Sequence, residues 1–183
     1  MIGDSGGDTA ATLRRYLPLF ETIYTHHLVP ACSRNPGMKA IRRPKLHMVD
    51  VGLAAMLLGV DADALSRATS TVSGQLLESF VAGELARQLT WSIISASLYQ
   101  WRDRDGHEVD LVLEASDGRV VGVEAKAVID VHDRDSVGLR ALQRRLGDRF
   151  AGGVLLHFGD RPRPFGFQLA AVPIAALWNV APS

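Results

Sequence analysis

Apolar positions recur along this chain with two periods, one helical and one extended, and their alternation predicts the order of elements. Leu13, Leu17, Phe20 and Tyr24 follow one another at helical spacing, with Thr9 placed to cap the helix they define. Pro18 falls inside that stretch and is expected to kink or split it. Ile23–Leu28 reads as extended, before a loop through Pro30, Ser33, Asn35, Pro36 and Gly37. Residues 1–8, rich in Gly and Asp, are expected to form a ragged start.

From Lys45 the pattern changes. Lys45–Val49 predicts a short strand, and Asp50 is placed to cap a helix that runs to Leu58 and stops at Gly59. A polar stretch, Asp61–Ser73, leads into the strongest helical pattern, Gly74–Thr90. Its stripe is Leu77, Val81, Leu85 and Leu89, with Phe80 beside it. Ser97–Arg102, Glu108–Ala115 and Val120–Val128 predict three strands. A helix over Asp135–Asp148, a strand over Gly153–Phe158 and a last strand over Phe165–Ala171 follow, before a helical turn ending at Trp178. This order predicts an α/β layer with a mixed sheet over residues 45–183, preceded by a small module over residues 1–44.

Glu124 and Lys126 share one face of a predicted strand, because side chains alternate with period two. Val121, Val123, Ala125 and Ala127 take the other face. Charges on a strand that is otherwise apolar need partners or water. The preceding strand offers Asp110. A three-residue loop, Ser116-Asp117-Gly118 with Gly in the left-handed position, pairs Ala115 with Arg119 and so Asp110 with Glu124. A two-residue loop would slip the register and put Asp110 opposite Ala125, on the wrong face.

Two adjacent carboxylates repel unless a cation intervenes. Mg²⁺ or Mn²⁺, bound by hard oxygen donors, suits that position and would polarise a phosphoryl oxygen. Lys126 would then orient a water or stabilise charge developing on phosphate. The plain alternative is an amphipathic hairpin with a surface salt bridge, which contributes only ~0–1 kcal/mol and no function.

Composition narrows the classes. Hydrophobic residues make up 47% of the 183 positions, ample for a packed core. No apolar run approaches the ~18 residues of a membrane span. No signal peptide is expected, and the single cysteine, Cys32, supports neither an internal disulfide nor a cysteine zinc site, so a cytoplasmic location is the expectation. With 20 basic and 20 acidic residues the formal net charge is zero, which argues against a surface coated for non-specific nucleic-acid binding. Local basic clusters remain: Arg42, Arg43 and Lys45; Arg102 and Arg104; Arg140, Arg144, Arg145 and Arg149. Each has a plain reading as a solvated face. His26 and His27 would face opposite ways in a strand, and His107 belongs to a turn or to the rim of the acidic site. Ser73 and Ser79 lack a nucleophile-elbow setting.

Six stretches, Lys45–Leu53, Gly74–Leu85, Tyr99–Arg102, Gly106–Leu113, Val123–Lys126 and Val172–Trp178, occur in the order seen in domain of unknown function 4143. That module lies behind the P-loop domain of many prokaryotic AAA-type ATPases, and the resemblance covers roughly residues 9–178. The module in turn resembles the PD-(D/E)xK, or restriction-endonuclease-like, nucleases. The resemblance implies that Glu78 is a helix carboxylate that joins Asp110 and Glu124 as a metal ligand, and that Lys126 is the catalytic lysine. It implies a DNA phosphodiester substrate with Mg²⁺ or Mn²⁺ as cofactor. The alternative is a non-catalytic module that binds nucleic acid or docks a protein partner or a second copy. Helical periodicity does not single out Glu78, since Glu84 lies as near the centre of the stripe. Residues 9–44, as in Thr12–Leu17, resemble the end of a winged-helix element; a simple packing arm is the other reading. Gly3–Thr9 has no strand before it and no Lys before a Ser or Thr, so no ATP site is expected in this sequence.

Overall fold

The computed structural model describes residues 6–32, 44–61, 63 and 71–179. Residues 1–5, the loop positions Ser33, Asn35, Pro36 and Gly37, the basic pair Arg42 and Arg43, and residues 62 and 64–70 of the polar stretch lie outside the described residues. The elements are α1 (Gly6–Thr22), β1 (His26–Val29), β2 (Lys45–Met48), α2 (Val51–Leu57), α3 (Thr71–Leu89), β3 (Ala96–Arg102), β4 (Glu108–Ala115) and β5 (Val120–Ala125). Then come α4 (Val137–Leu146), β6 (Phe150–His157), β7 (Arg163–Gly166) and β8 (Leu169–Pro173).

Six strands form one mixed sheet in the order β3-β4-β5-β6-β8-β7. The first three are antiparallel, β5 and β8 flank β6 in parallel, and β7 returns antiparallel at the edge. Parallel neighbours need a long crossover, and α4 supplies it between β5 and β6. The two faces carry separate cores. One packs Leu77, Val81 and Leu85 of α3 on Leu111, Val123 and Ala125. The other packs Leu139 and Leu142 of α4 on Val109, Val112, Val120 and Leu155. α3 thus buries Leu77, Val81 and Leu85 of the stripe that its spacing predicts.

Several boundaries differ from the pattern, each for a local reason. α1 begins at Gly6, ahead of Thr9, and runs unbroken through Pro18, which is exposed and leaves the missing hydrogen bond to water. Of its expected stripe, Phe20 and Tyr24 are exposed. Tyr24 adopts a left-handed conformation that closes the helix, so the extended segment starts at His26. The stretch Phe165–Ala171 is two strands, because Gly166 and Gln168 take positive φ and reverse the chain. Asp50 caps α2, its Oδ1 accepting from the Leu53 N–H at 2.9 Å.

Residues before β2 join the same core. β1 pairs antiparallel with β2, Val29 packs in the α3 core, and Cys32 is buried in the α4 core. His47 ties β2 to α3, its Nδ1 lying 3.3 Å from Ser79 Oγ. Burial, with His27 and Lys45 adding to it, pushes the His47 imidazole down to about 4. An unfolded histidine titrates near ~6.5, so as pH falls the unfolded chain takes the proton first and the fold loses stability. The loss develops between those two values and reaches roughly 3 kcal/mol. Urea denaturation at pH 7.5 and 4.5 should show His47→Leu losing less over this window than the parent; equal losses would dismiss the assignment.

Candidate active site

The β3-β4-β5 hairpins place the acidic residues. Gly118 turns the Ser116–Gly118 loop at φ 85°, and the Ala115 N–H donates to Arg119 O at 2.9 Å. The ladder runs from Glu114↔Val120 to Leu111↔Val123, the register that the three-residue loop predicts. It stops there. Beside it, β3 and β4 slip by one residue between Tyr99 and Trp101. A bulge of this kind re-aims the side chains next to it. Asp110 Oδ2 turns to accept the Ala125 N–H at 3.0 Å. The carboxylate thereby replaces a ladder bond, and the strands part to leave a cleft.

Asp110, Glu124 and Lys126 line that cleft together with Glu108, Asp135 and Gly138, in a cavity of about 360 Å³. Lys126 Nζ lies 2.8 Å from Glu124 Oε2. Glu78 reaches the cluster from α3 through a second cation. Lys45 Nζ, from β2, is 2.8 Å from Glu78 Oε1 and 3.7 Å from Asp110 Oδ1, and it contacts Glu108 Oε1 closely. Four carboxylates and two ammonium groups therefore meet at one end of the sheet. Glu84, the other acidic residue of α3 near the stripe, pairs locally with Arg87 and Gln88 and takes no part.

Electrostatics follow from crowding. Burial and the nearby Asp110 push the Glu124 carboxyl up to about 8, against the pull of Lys126. Burial and Asp110 also raise Glu78, against Lys45. Both lysines sit above their ordinary range: burial opposes their charge, but Glu78 and Glu108 around Lys45, and Glu124 beside Lys126, outweigh it. The donor set is hard oxygen, which fits Mg²⁺ or Mn²⁺ better than a thiophilic ion. Asp110 and Glu124 would hold such an ion, and Glu78 would join them at the place Lys45 takes between Glu78 and Asp110.

The floor of the cleft depends on a missing side chain. A Cβ at Gly138 would lie 1.9 Å from the Glu108 carbonyl oxygen and 2.4 Å from Glu124 Oε1. Only glycine lets the first turn of α4 approach both strands. Gly138→Ala should cost about 1–3 kcal/mol or more, because backbone rather than a pliable side chain is in the way. A thermal melt checks it, and a variant as stable as the parent would remove Gly138 from the argument.

A family model described as a domain of unknown function, DUF4143, matches residues 73–177. The chain belongs to the DUF4143 family. A second domain of unknown function, DUF8612, matches residues 2–64. Two curated relatives are similar at 32% identity over 88% of this chain: uncharacterized protein Mb2031c of Mycobacterium bovis and uncharacterized protein Rv2008c of Mycobacterium tuberculosis. The chain spans 34% of the length of each. No solved structure matches it.

The DUF4143 segment carries Glu78, Glu108, Asp110, Glu124 and Lys126, whereas Lys45 lies in the DUF8612 segment. The cluster is thus assembled across both. Sequence reasoning missed two members. Glu108 was legible, since it stands two residues from Asp110 on one strand. Lys45 was not, because only the pairing of β2 and its packing on α3 bring it there. His107 sits at the rim, its Nδ1 2.8 Å from Asp103 Oδ2. Asp103, Asp105 and His107 have ligand atoms within 4.8 Å of one another, yet Asp103 already engages the imidazole. Among the described residues, no helix is long and apolar enough to cross a membrane.

Proposed function

We propose that this DUF4143 domain is a restriction-endonuclease-like module that hydrolyses DNA phosphodiester bonds with Mg²⁺ or Mn²⁺, and that α1 with β1 is a winged-helix remnant. The observation that supports the reading most is the convergence of Asp110, Glu124 and Lys126 in one open cleft. A divalent ion there would supply Lewis-acid polarisation of a phosphoryl oxygen. The residues themselves do the rest. Asp110 and Glu124 fix the cation end of the site, and Asp110 is oriented by the Ala125 N–H. The Lys126 ammonium stands where it can hold an attacking water or meet charge on the departing oxygen.

The test is direct. Purified protein incubated with single- and double-stranded DNA should cleave only when Mn²⁺ or Mg²⁺ is added. No cleavage above a chelated control, on either substrate, would sink the nuclease reading.

A second reading has one specific observation behind it. Lys45 places its ammonium against Glu78, Glu108 and Asp110. A site whose carboxylates are bridged from within by a lysine suits a module that keeps the fold to bind nucleic acid or a protein and performs no chemistry. Binding that survives Asp110→Ala and Glu124→Ala, with no cleavage by the parent, would favour it.

A further inference from the structure

Most arginines around the central sheet are paired. Arg87, Arg102, Arg119, Arg140, Arg149 and Arg161 each meet a carboxylate. Arg104, Arg134, Arg144 and Arg145 have no carboxylate or hydrogen-bond partner among the described residues, and all four are exposed. They are not scattered. Arg134 lines the acidic cleft. Arg104, Arg144 and Arg145 line a second cavity of about 500 Å³, and His107 borders both cavities.

Such placement calls for an anion. Arg144 and Arg145 sit in the last turn of α4, where a cation favours the helix dipole. That explains why they are tolerated on the helix. It does not explain why Arg104, from the β3–β4 turn, faces the same cavity, since like charges gathered from separate segments repel. Of the two carboxylates there, Asp103 is engaged by His107. Asp105 alone is left against three guanidiniums. Guanidinium groups match phosphate oxygens through paired hydrogen bonds. A neutral protein that gathers unpaired arginines beside one cleft has a local electropositive surface that its net charge conceals.

We propose that Arg104, Arg144 and Arg145 form a phosphate-binding subsite that holds the backbone of a nucleic-acid strand next to the acidic cleft. The placement of the strand rests on the nuclease reading, since it sets a phosphate of the same strand beside Asp110 and Glu124. The subsite reads no base sequence, because backbone contacts position a strand without specifying it.

The test is binding without cleavage. Fluorescence anisotropy of a labelled 20-nucleotide DNA, single-stranded and duplex, is measured with the full chain in EDTA across a salt series. The parent should bind, with affinity falling as salt rises. Arg144→Ala/Arg145→Ala should bind more weakly on every sequence, with a salt slope lower by about 2, roughly 0.9 for each phosphate no longer neutralised. Arg104→Ala, in a turn rather than the helix, should lower it by about 1. Arg119→Ala, whose partner is Asp117, should bind as the parent does. Circular dichroism confirms the fold of each variant. The proposal is overturned if the parent binds neither DNA in EDTA, or if the double variant matches the parent in affinity and slope. Arginine-dependent binding with no metal-dependent cleavage would retain the subsite and reject the nuclease; cleavage indifferent to these arginines would do the reverse.

Discussion

Lys126→Ala is expected to lower metal-dependent DNA cleavage by about 10²–10³-fold, the usual loss when one preorganised donor to developing charge is removed. The substitution acts twice. It removes the ammonium from the cleft, and it strips Glu124 of the cation 2.8 Å away. Glu124 is already pushed up to about 8 by burial and by Asp110. Without Lys126 it takes up a proton more readily still, so the variant holds this carboxylate in its charged form less readily than the parent does. Lys126→Ala and Glu124→Gln should therefore be equally damaging. The double variant should be little worse than either, because residues acting as a unit are not additive. The fold should survive, since the lysine side chain is 36% exposed. Initial rates with Mn²⁺ decide it. Parent-like cleavage by Lys126→Ala would remove the lysine from the chemistry, and additive losses would separate it from Glu124.

The hairpin that carries these residues was legible because its determinants are local. A glycine at the third loop position fixes the turn, the turn fixes the register, and period two fixes the face. The bulge in β4, where Asp110 and Leu111 lie opposite Gln100, was not legible. It arises from how β3 accommodates β4, and it turns Asp110 toward the Ala125 N–H instead of leaving it in a regular ladder. The α3 stripe was readable for the same reason as the hairpin, but its acidic residues were not ranked by periodicity. Glu78 and Glu84 both border the stripe, and only the position of β2 brings a lysine to one of them. The β7–β8 turn failed as one strand because Gln168 takes a left-handed conformation that its residue type does not announce. In each case an interaction between distant segments decides between two locally equivalent choices.

Lys45→Met is expected to destabilise the fold by roughly 3 kcal/mol when no divalent ion is present, the lower end for removing one partner of a buried ion pair. The lower end applies because Lys45 and its partners each keep between 14% and 30% of their side chains in water. Glu78, Glu108 and Asp110 would be left facing one another, and the methionine stem still fills the space of the lysine stem. The sharper outcome concerns metal. If the carboxylates suit a divalent cation, Mn²⁺ should stabilise Lys45→Met more than the parent, since the ammonium no longer occupies the gap between Glu78 and Asp110. An ion at about a hundred times its dissociation constant would return roughly 2.7 kcal/mol, most of what the substitution removed. Thermal melts of both proteins with and without Mn²⁺ measure the difference. Equal gains would mean that Lys45 and the ion occupy different places, with the ion held by Asp110 and Glu124 alone. A variant that gains nothing would mean that these carboxylates exist to hold a lysine from the DUF8612 segment. The cluster would then be the seam joining two parts of the chain.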